Sequence, residues 1–123
     1  ICSNKKKDII IEMLNNRINS GKKILPILSK NLNDGKGDEE CIRYWINGIK
    51  LCILRSEQVI AIVDSYINGI NKKRLAKLLE SNKDLMEDFT KLWSESVTEY
   101  SLEQEKEVKF MRDIRILENL LNE

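Results

Sequence analysis

The chain has 123 residues, of which 41% are hydrophobic and 33% are charged, and its 21 basic and 20 acidic residues leave a formal net charge of +1 at pH 7. These proportions are typical of a single globular domain, exclude a disordered chain, and give no overall field that would draw in nucleic acid. Histidine is absent, which excludes Ser-His and Cys-His catalytic couples and histidine metal sites.

Helical patterning runs through the chain and predicts one all-α domain over residues 1–123. The N-terminal helix is expected to end at Ser20–Gly21, because serine and glycine interrupt its apolar spacing. A second short helix is expected to begin near Lys23, with Pro26 in its first turn, where the missing N–H of proline costs nothing. Asn33–Gly37 is the clearest predicted loop.

The longest predicted helix begins at about Asp38 and ends at about Ile70. Its apolar residues repeat at heptad spacing, so we expect it to lie at the centre of the molecule, with Ile49, Val59, Ile60 and Val63 almost fully buried. Ser56 interrupts this repeat, and two alternatives stay open there. Either the helix breaks and Ser56 caps a second helix, or the serine hydroxyl bonds to the carbonyl four residues before it.

Two glycines in the long helix have different expected roles. Gly48 is expected to admit a closely packed neighbouring helix, and Gly69 is expected to end the helix as its C-cap. A short helix over Asn71–Asn82 follows, its last residue caps the next helix, and a final helix begins near Ser101. The pattern predicts a compact bundle of five or six helices around the long central helix.

The three cysteines divide into a pair and a single thiol. Cys41 and Cys52 would lie about 16 Å apart along the predicted helix, which is too far for a disulfide. If the first two short helices formed a hairpin, the long helix would begin near the chain's start. Cys2 and Cys41 are therefore a candidate disulfide, with Cys52 as a buried free thiol. The alternative is three reduced thiols in an intracellular protein.

Two groups of residues are candidates for contacting a partner. Tyr44 lies beside the apolar stripe of the long helix and is a candidate exposed anchor, whereas Trp45 and Trp93 fall on apolar stripes and are expected in the core. The second group follows the long helix and is cationic, so it suits an acidic partner. The candidate residues are Arg43 and Tyr44 in the first group, and Lys72, Lys73 and Arg74 in the second.

Several classes of site are not expected. No run of apolar residues approaches the roughly 18 that a membrane-spanning helix needs. Asp38, Glu39 and Glu40 look like an acidic cluster, but they stand at a helix start, where carboxylates balance the helix dipole. No phosphate-binding loop, paired-carboxylate site or nucleic-acid motif occurs. We therefore expect no cofactor, no metal site and no enzymatic activity.

The expected function is protein binding. No residue set ties the chain to a known family, but in size and composition it resembles small helical secreted proteins of blood-feeding insects and other parasites. The chain begins without methionine, as a mature secreted protein or a shortened chain does. These features favour a secreted binding or effector protein, for example a salivary or parasite-type inhibitor. The alternative is an intracellular or viral helical module that binds a partner helix.

Overall fold

The computed structural model describes residues 4–94 and 98–123, and every regular element within them is a helix. The first three helices are α1 (Asn4–Asn33), α2 (Glu39–Asn68) and α3 (Lys72–Trp93). The fourth runs without interruption through α4 (Glu99–Lys106), a π-helical segment (Glu107–Met111) and α5 (Arg112–Leu121). The all-α prediction is confirmed. The described residues form four helices and not the predicted five or six, because two predicted breaks are absent.

The first absent break is the one predicted at Ser20–Gly21, inside α1. Gly21 is buried, and a Cβ atom built on it would lie 2.7 Å from Cγ1 of Ile53 and 3.4 Å from Cγ2 of Ile49, both in α2. This glycine therefore allows two helices to approach closely and does not end one of them. Pro26 is also inside α1, on its exposed side, so its missing backbone hydrogen bond falls where water reaches the helix.

α2 is continuous through Ser56, which settles the choice between the two alternatives. The Ser56 hydroxyl donates to the carbonyl oxygen of Cys52 at 2.9 Å, so the hydroxyl is satisfied within the helix. The ends of α2 are as predicted. The Asp38 carboxylate accepts a hydrogen bond from the backbone N–H of Cys41 at 3.0 Å, and Gly69 ends the helix with φ of 90°.

The buried face of α2 differs from the predicted one. Leu51, Leu54 and Ala61 point into the core, whereas Val59 is 42% exposed and Ile60 is only partly buried. Ile49 and Val63 are also only partly buried, so the prediction that Ile49, Val59, Ile60 and Val63 are almost fully buried is wrong. A 30-residue helix with apolar residues on several sides has more than one apolar stripe, and the sequence pattern does not say which stripe is covered.

The second absent break is at Asn82, which was expected to cap a new helix. The cap of α3 is Asn71, whose side chain accepts from the backbone N–H of Arg74 at 3.1 Å. Asn82 lies inside α3 with no exposed surface, and neither polar atom of its side chain has a hydrogen-bond partner in the described residues. Such burial costs about 1–3 kcal/mol. Leu78 and Leu85, on either side in the same helix, belong to the core that encloses it.

The order of packing leaves α1 at the edge of the molecule. Short connections make consecutive helices run antiparallel. Among the described helices α1 packs against α2 alone, while α3 packs against both α2 and the helix containing α4 and α5. The main core therefore lies between α2, α3 and the last helix. Its largest fully buried apolar side chains are Phe110, Leu75 and Leu117.

Arg55 connects α2 to the π-helical segment. Its Nη2 donates to the carbonyl oxygen of Val108 at 2.6 Å, and its Nε donates to Oδ2 of Asp113 at 3.2 Å. Within the last helix, hydrogen bonds from the Arg115 guanidinium hold the pKa of the Glu107 carboxyl below its usual value. The π-helical segment is thus bonded both to the neighbouring helix α2 and to a later residue of its own helix.

Gly21 and Gly48 provide a matched pair for testing the approach of α1 to α2. Gly48 was expected to admit a closely packed helix, but no heavy atom of the described residues lies within 4 Å of a Cβ built on it. Gly48→Ala should therefore raise the free energy of unfolding by about 0.5–1 kcal/mol through helix propensity. Gly21→Ala should lower it by roughly 1–3 kcal/mol, because the new methyl group collides with Ile53. Urea unfolding followed by circular dichroism measures both changes. Equal changes at the two sites would contradict the close approach.

Candidate protein-interaction surface

One side of α2 carries a row of uncharged residues, most of which are open to solvent. Its members are three, four or seven residues apart, so they share one face of the helix, and Arg55, which falls between Cys52 and Val59 at this spacing, bonds to the last helix. Trp45 is 57% exposed and Tyr66 is 81% exposed, and with Val59 and Cys52 they follow one another at seven-residue intervals. The exposed members of this α2 row are Cys41, Trp45, Gly48, Cys52, Val59 and Tyr66.

α1 carries a similar exposed row. It consists of Ile10, Met13, Arg17, Ser20, Ile24 and Ile27, which again repeat at steps of three and four. Each of these residues is exposed. The face of α1 that packs on α2 is a different one, and it contains Ile18 and Gly21.

The two rows lie on the same side of the α1–α2 hairpin. On the opposite side, Lys22 and Ser29 of α1 line a groove with Lys50 and Glu57 of α2 and with Asp88 of α3. The α1 row and the α2 row each lie about half a turn away from these groove residues on their own helices. Both rows therefore face away from α3. Because α1 and α2 are packed neighbours, the rows run side by side and form one surface, which we call the hairpin face.

The hairpin face is depleted of charge. Charged residues make up 33% of the chain, yet Arg17 is the one charged residue among the members of the two rows. Single exposed apolar residues are common on soluble proteins, but a contiguous apolar patch larger than a few hundred Å² marks an interaction site. The hairpin face extends along two helices of 30 residues each, so it is the strongest candidate for a binding surface.

Aromatic residues border the hairpin face near the start of α2. Tyr44 is 41% exposed and makes edge-on contacts with Trp45, at 6.1 Å between ring centroids, and with Trp93, at 5.2 Å. The expectation that Trp45 is in the core is wrong, and Trp93 is partly buried. Arg43 lines the groove instead and pairs with Glu39 at 2.9 Å. The structure therefore places Arg43 and Tyr44 on different sides of α2, and their role in binding stays a prediction.

The predicted cationic group forms the first turn of α3. Lys72, Lys73 and Arg74 are exposed there, and Nη1 of Arg74 lies 3.6 Å from Oδ2 of Asp64 in α2. No acidic residue occurs in this turn, so the three cations stand at the positive end of the helix dipole, where they are unfavourable. The group lies at the other end of α2 from Tyr44, as predicted. That it contacts a partner also stays a prediction.

Cys41 and Cys52 are exposed on the hairpin face, and neither is bridged to another described residue. The prediction that Cys52 is buried is wrong, because its row faces solvent. Cys2 lies outside the described residues, so its bridge to Cys41 stays a prediction. The structure removes the geometric reason for that bridge. α1 is one helix of 30 residues, about 45 Å long. Asn4 begins this helix, whereas Cys41, near the start of α2, lies close to its other end.

The sequence contains a signal for the hairpin face, but heptad spacing predicts that these residues belong to the core. The heptad row through Trp45, Cys52 and Val59 is real, and heptad spacing is what a packed helix requires. The sequence cannot tell whether the packing partner belongs to the same chain. In this structure the stripe through Leu51, Leu54 and Ala61 takes the core position, and the heptad row is left uncovered.

Substitutions distinguish the exposed row from the core of α2. Trp45→Ser removes a large side chain that is mostly exposed, so the free energy of unfolding of the isolated chain should change by less than about 0.5 kcal/mol. Leu54→Ala, in the same helix but in the core, should lower it by roughly 2–5 kcal/mol. Denaturant unfolding in dilute solution measures both values. A large loss from Trp45→Ser would show that this row is covered within the chain.

Comparison with protein-family models, curated proteins and solved structures gave no match. Across residues 4–94 and 98–123, no helix combines the length and the apolarity needed to cross a membrane. The same residues contain no cluster of three or more cysteine, aspartate or glutamate side chains arranged to hold a metal ion. What this chain does is therefore inferred from its own surface.

Proposed function

We propose that the chain is a non-enzymatic protein-binding module whose hairpin face takes up a helical partner. The observation that carries this proposal is the uncharged row along α2, from Cys41 to Tyr66, which stays exposed beside the α1 row. Exposing an apolar surface to water costs about 25 cal/mol of free energy for each Å². A partner that covers it removes that cost.

The spacing of the exposed residues supports a helix as the partner's shape. Trp45, Cys52, Val59 and Tyr66 repeat every seven residues, which keeps them in line with a second helix over the length of a left-handed supercoil. Ile10, Arg17 and Ile24 have the same period in α1. An extended peptide binds by pairing with the edge strand of a sheet, and the described residues contain no strand. Two parallel rows on neighbouring helices instead form a shallow seat for a helix.

The compartment is part of this proposal. Secretion was expected, with an intracellular or viral module as the alternative. Cys41 and Cys52 are exposed and unbridged among the described residues, which supports the alternative, because disulfides form and persist in oxidising compartments and thiols stay reduced in the cytosol. Protein from its native source, unfolded and alkylated without reductant, should carry the label on both cysteines. A disulfide at Cys41 or Cys52 in that material would favour secretion.

A photo-crosslinking experiment tests the proposed surface. A photo-reactive phenylalanine analogue at Val59, on the hairpin face, should give a discrete crosslinked protein product when the chain is irradiated in its native source. The same analogue at Lys50, exposed on the groove side of α2, is the matched control and should not give that product. Mass spectrometry identifies the attached polypeptide and the residues joined. No product at Val59, or the same product from both positions, would contradict the proposed function.

A further inference from the structure

We infer that the occupant of the hairpin face is a second copy of this chain, packed hairpin against hairpin as a four-helix arrangement. This inference rests on the proposed function, because it names the partner of the same surface. Three features of the described residues carry it. They are the near absence of charge, the amount of surface left open, and the unequal charge of the two ends of the hairpin.

The absence of charge favours a permanent partner of the same kind. Surfaces that meet transient partners are about as polar as the rest of a protein, since they must stay soluble alone, whereas homodimer interfaces are more apolar. The hairpin face has Arg17 as its one charged residue. An isologous contact joins the same surface patch of both subunits, so that patch must complement itself. Two apolar faces do so without a charge pattern that has to match.

The open surface is large enough for such a contact. The chain has 8536 Å² of accessible surface, whereas a compact monomer of its mass exposes about 6,800 Å². The excess of roughly 1,700 Å² per chain is in the range that stable dimers bury on each subunit. α1 contributes to this excess, because it packs against α2 alone and the hairpin extends from the main core instead of folding over it.

The charges at the two ends select one orientation. The end where α1 and α3 begin carries Lys5, Lys7 and the group Lys72–Arg74, which outnumber the carboxylates Asp8 and Asp64 there. The other end, at the α1–α2 turn, has an excess of carboxylates. These are Asp34, Asp38, Glu39 and Glu40, with Lys36 among them. A two-fold axis that lies in the interface and crosses the helices places the cationic end of one copy over the acidic turn of the other. An axis along the helices would instead oppose identical ends, which like charges disfavour.

In the selected orientation α2 of one copy lies antiparallel to α2 of the other, so Trp45 of each copy approaches Tyr66 of its partner. Arg17, near the middle of the α1 row, lies close to the axis. Its long apolar stem can cover neighbouring apolar groups while the guanidinium reaches water at the interface edge. Arg17 therefore weakens the contact without preventing it.

Sedimentation equilibrium of the purified chain over a range of concentrations tests this inference. Wild type should associate to a dimer with a Kd below about 100 µM. Ile24→Glu, on the hairpin face, should weaken association by about 100-fold or more, since it buries an unpaired carboxylate. Ser29→Glu is the matched control in the same helix, on the groove side, and should associate as wild type does. Arg17→Leu should tighten the dimer. Circular dichroism confirms that each variant is folded.

Salt tests the orientation separately. Opposite charges at the facing ends predict that added sodium chloride weakens the dimer, whereas opposed identical ends predict that it strengthens the dimer. A folded wild type that stays monomeric at all concentrations overturns the inference, as does equal loss from Ile24→Glu and Ser29→Glu. If crosslinking at Val59 then captures a different polypeptide, the proposed function stands and only the second copy is wrong. If it captures nothing, both fail.

Discussion

The close approach of α1 to α2 at Gly21 is the contact on which the rest of the molecule's surface depends. α1 has no other helical neighbour among the described residues, so the position of a 30-residue helix is set by one interface. A glycine at its middle lets Ile53 and Ile49 sit against the α1 backbone, which fixes the rotation of α1 about its axis. That rotation decides which apolar side chains are covered and which form the hairpin face.

α2 serves two cores with different composition. Toward α3 it presents Leu51, Leu54 and Ala61 together with polar Asn47, whose amide donates to the carbonyl oxygen of Leu85 at 3.4 Å. Toward α1 it presents isoleucines. A helix with neighbours on two sides needs an apolar surface wider than a single stripe. α2 has a third row of uncharged residues besides these two, and that row is exposed to solvent.

The helix content and several helix ends were predictable from local sequence, because caps and terminal glycines act through their own neighbours. Asp38 and Gly69 are examples, and so is the Ser56 hydroxyl bond. The breaks at Gly21 and Asn82 were predicted wrongly, since tertiary contacts decide whether a glycine ends a helix or is packed inside one. The exposure of Trp45 and Val59 was unpredictable for a related reason. Heptad spacing indicates that a helix packs against another helix, but the topology of the chain determines which helix that is.

The π-helical segment sets the angular phase of the last helix. One extra residue in a helix rotates everything after it by about 100° relative to what precedes it. Leu102 in α4 and Phe110 are both buried, although in an unbroken α-helix their separation would turn them about 80° apart. The extra residue brings them to within about 20° of one face. A single-residue deletion between them is therefore a change to all of α5, because it would swing Ile114 and Leu117 off the core. Related chains should tolerate substitutions in this segment far better than changes in its length.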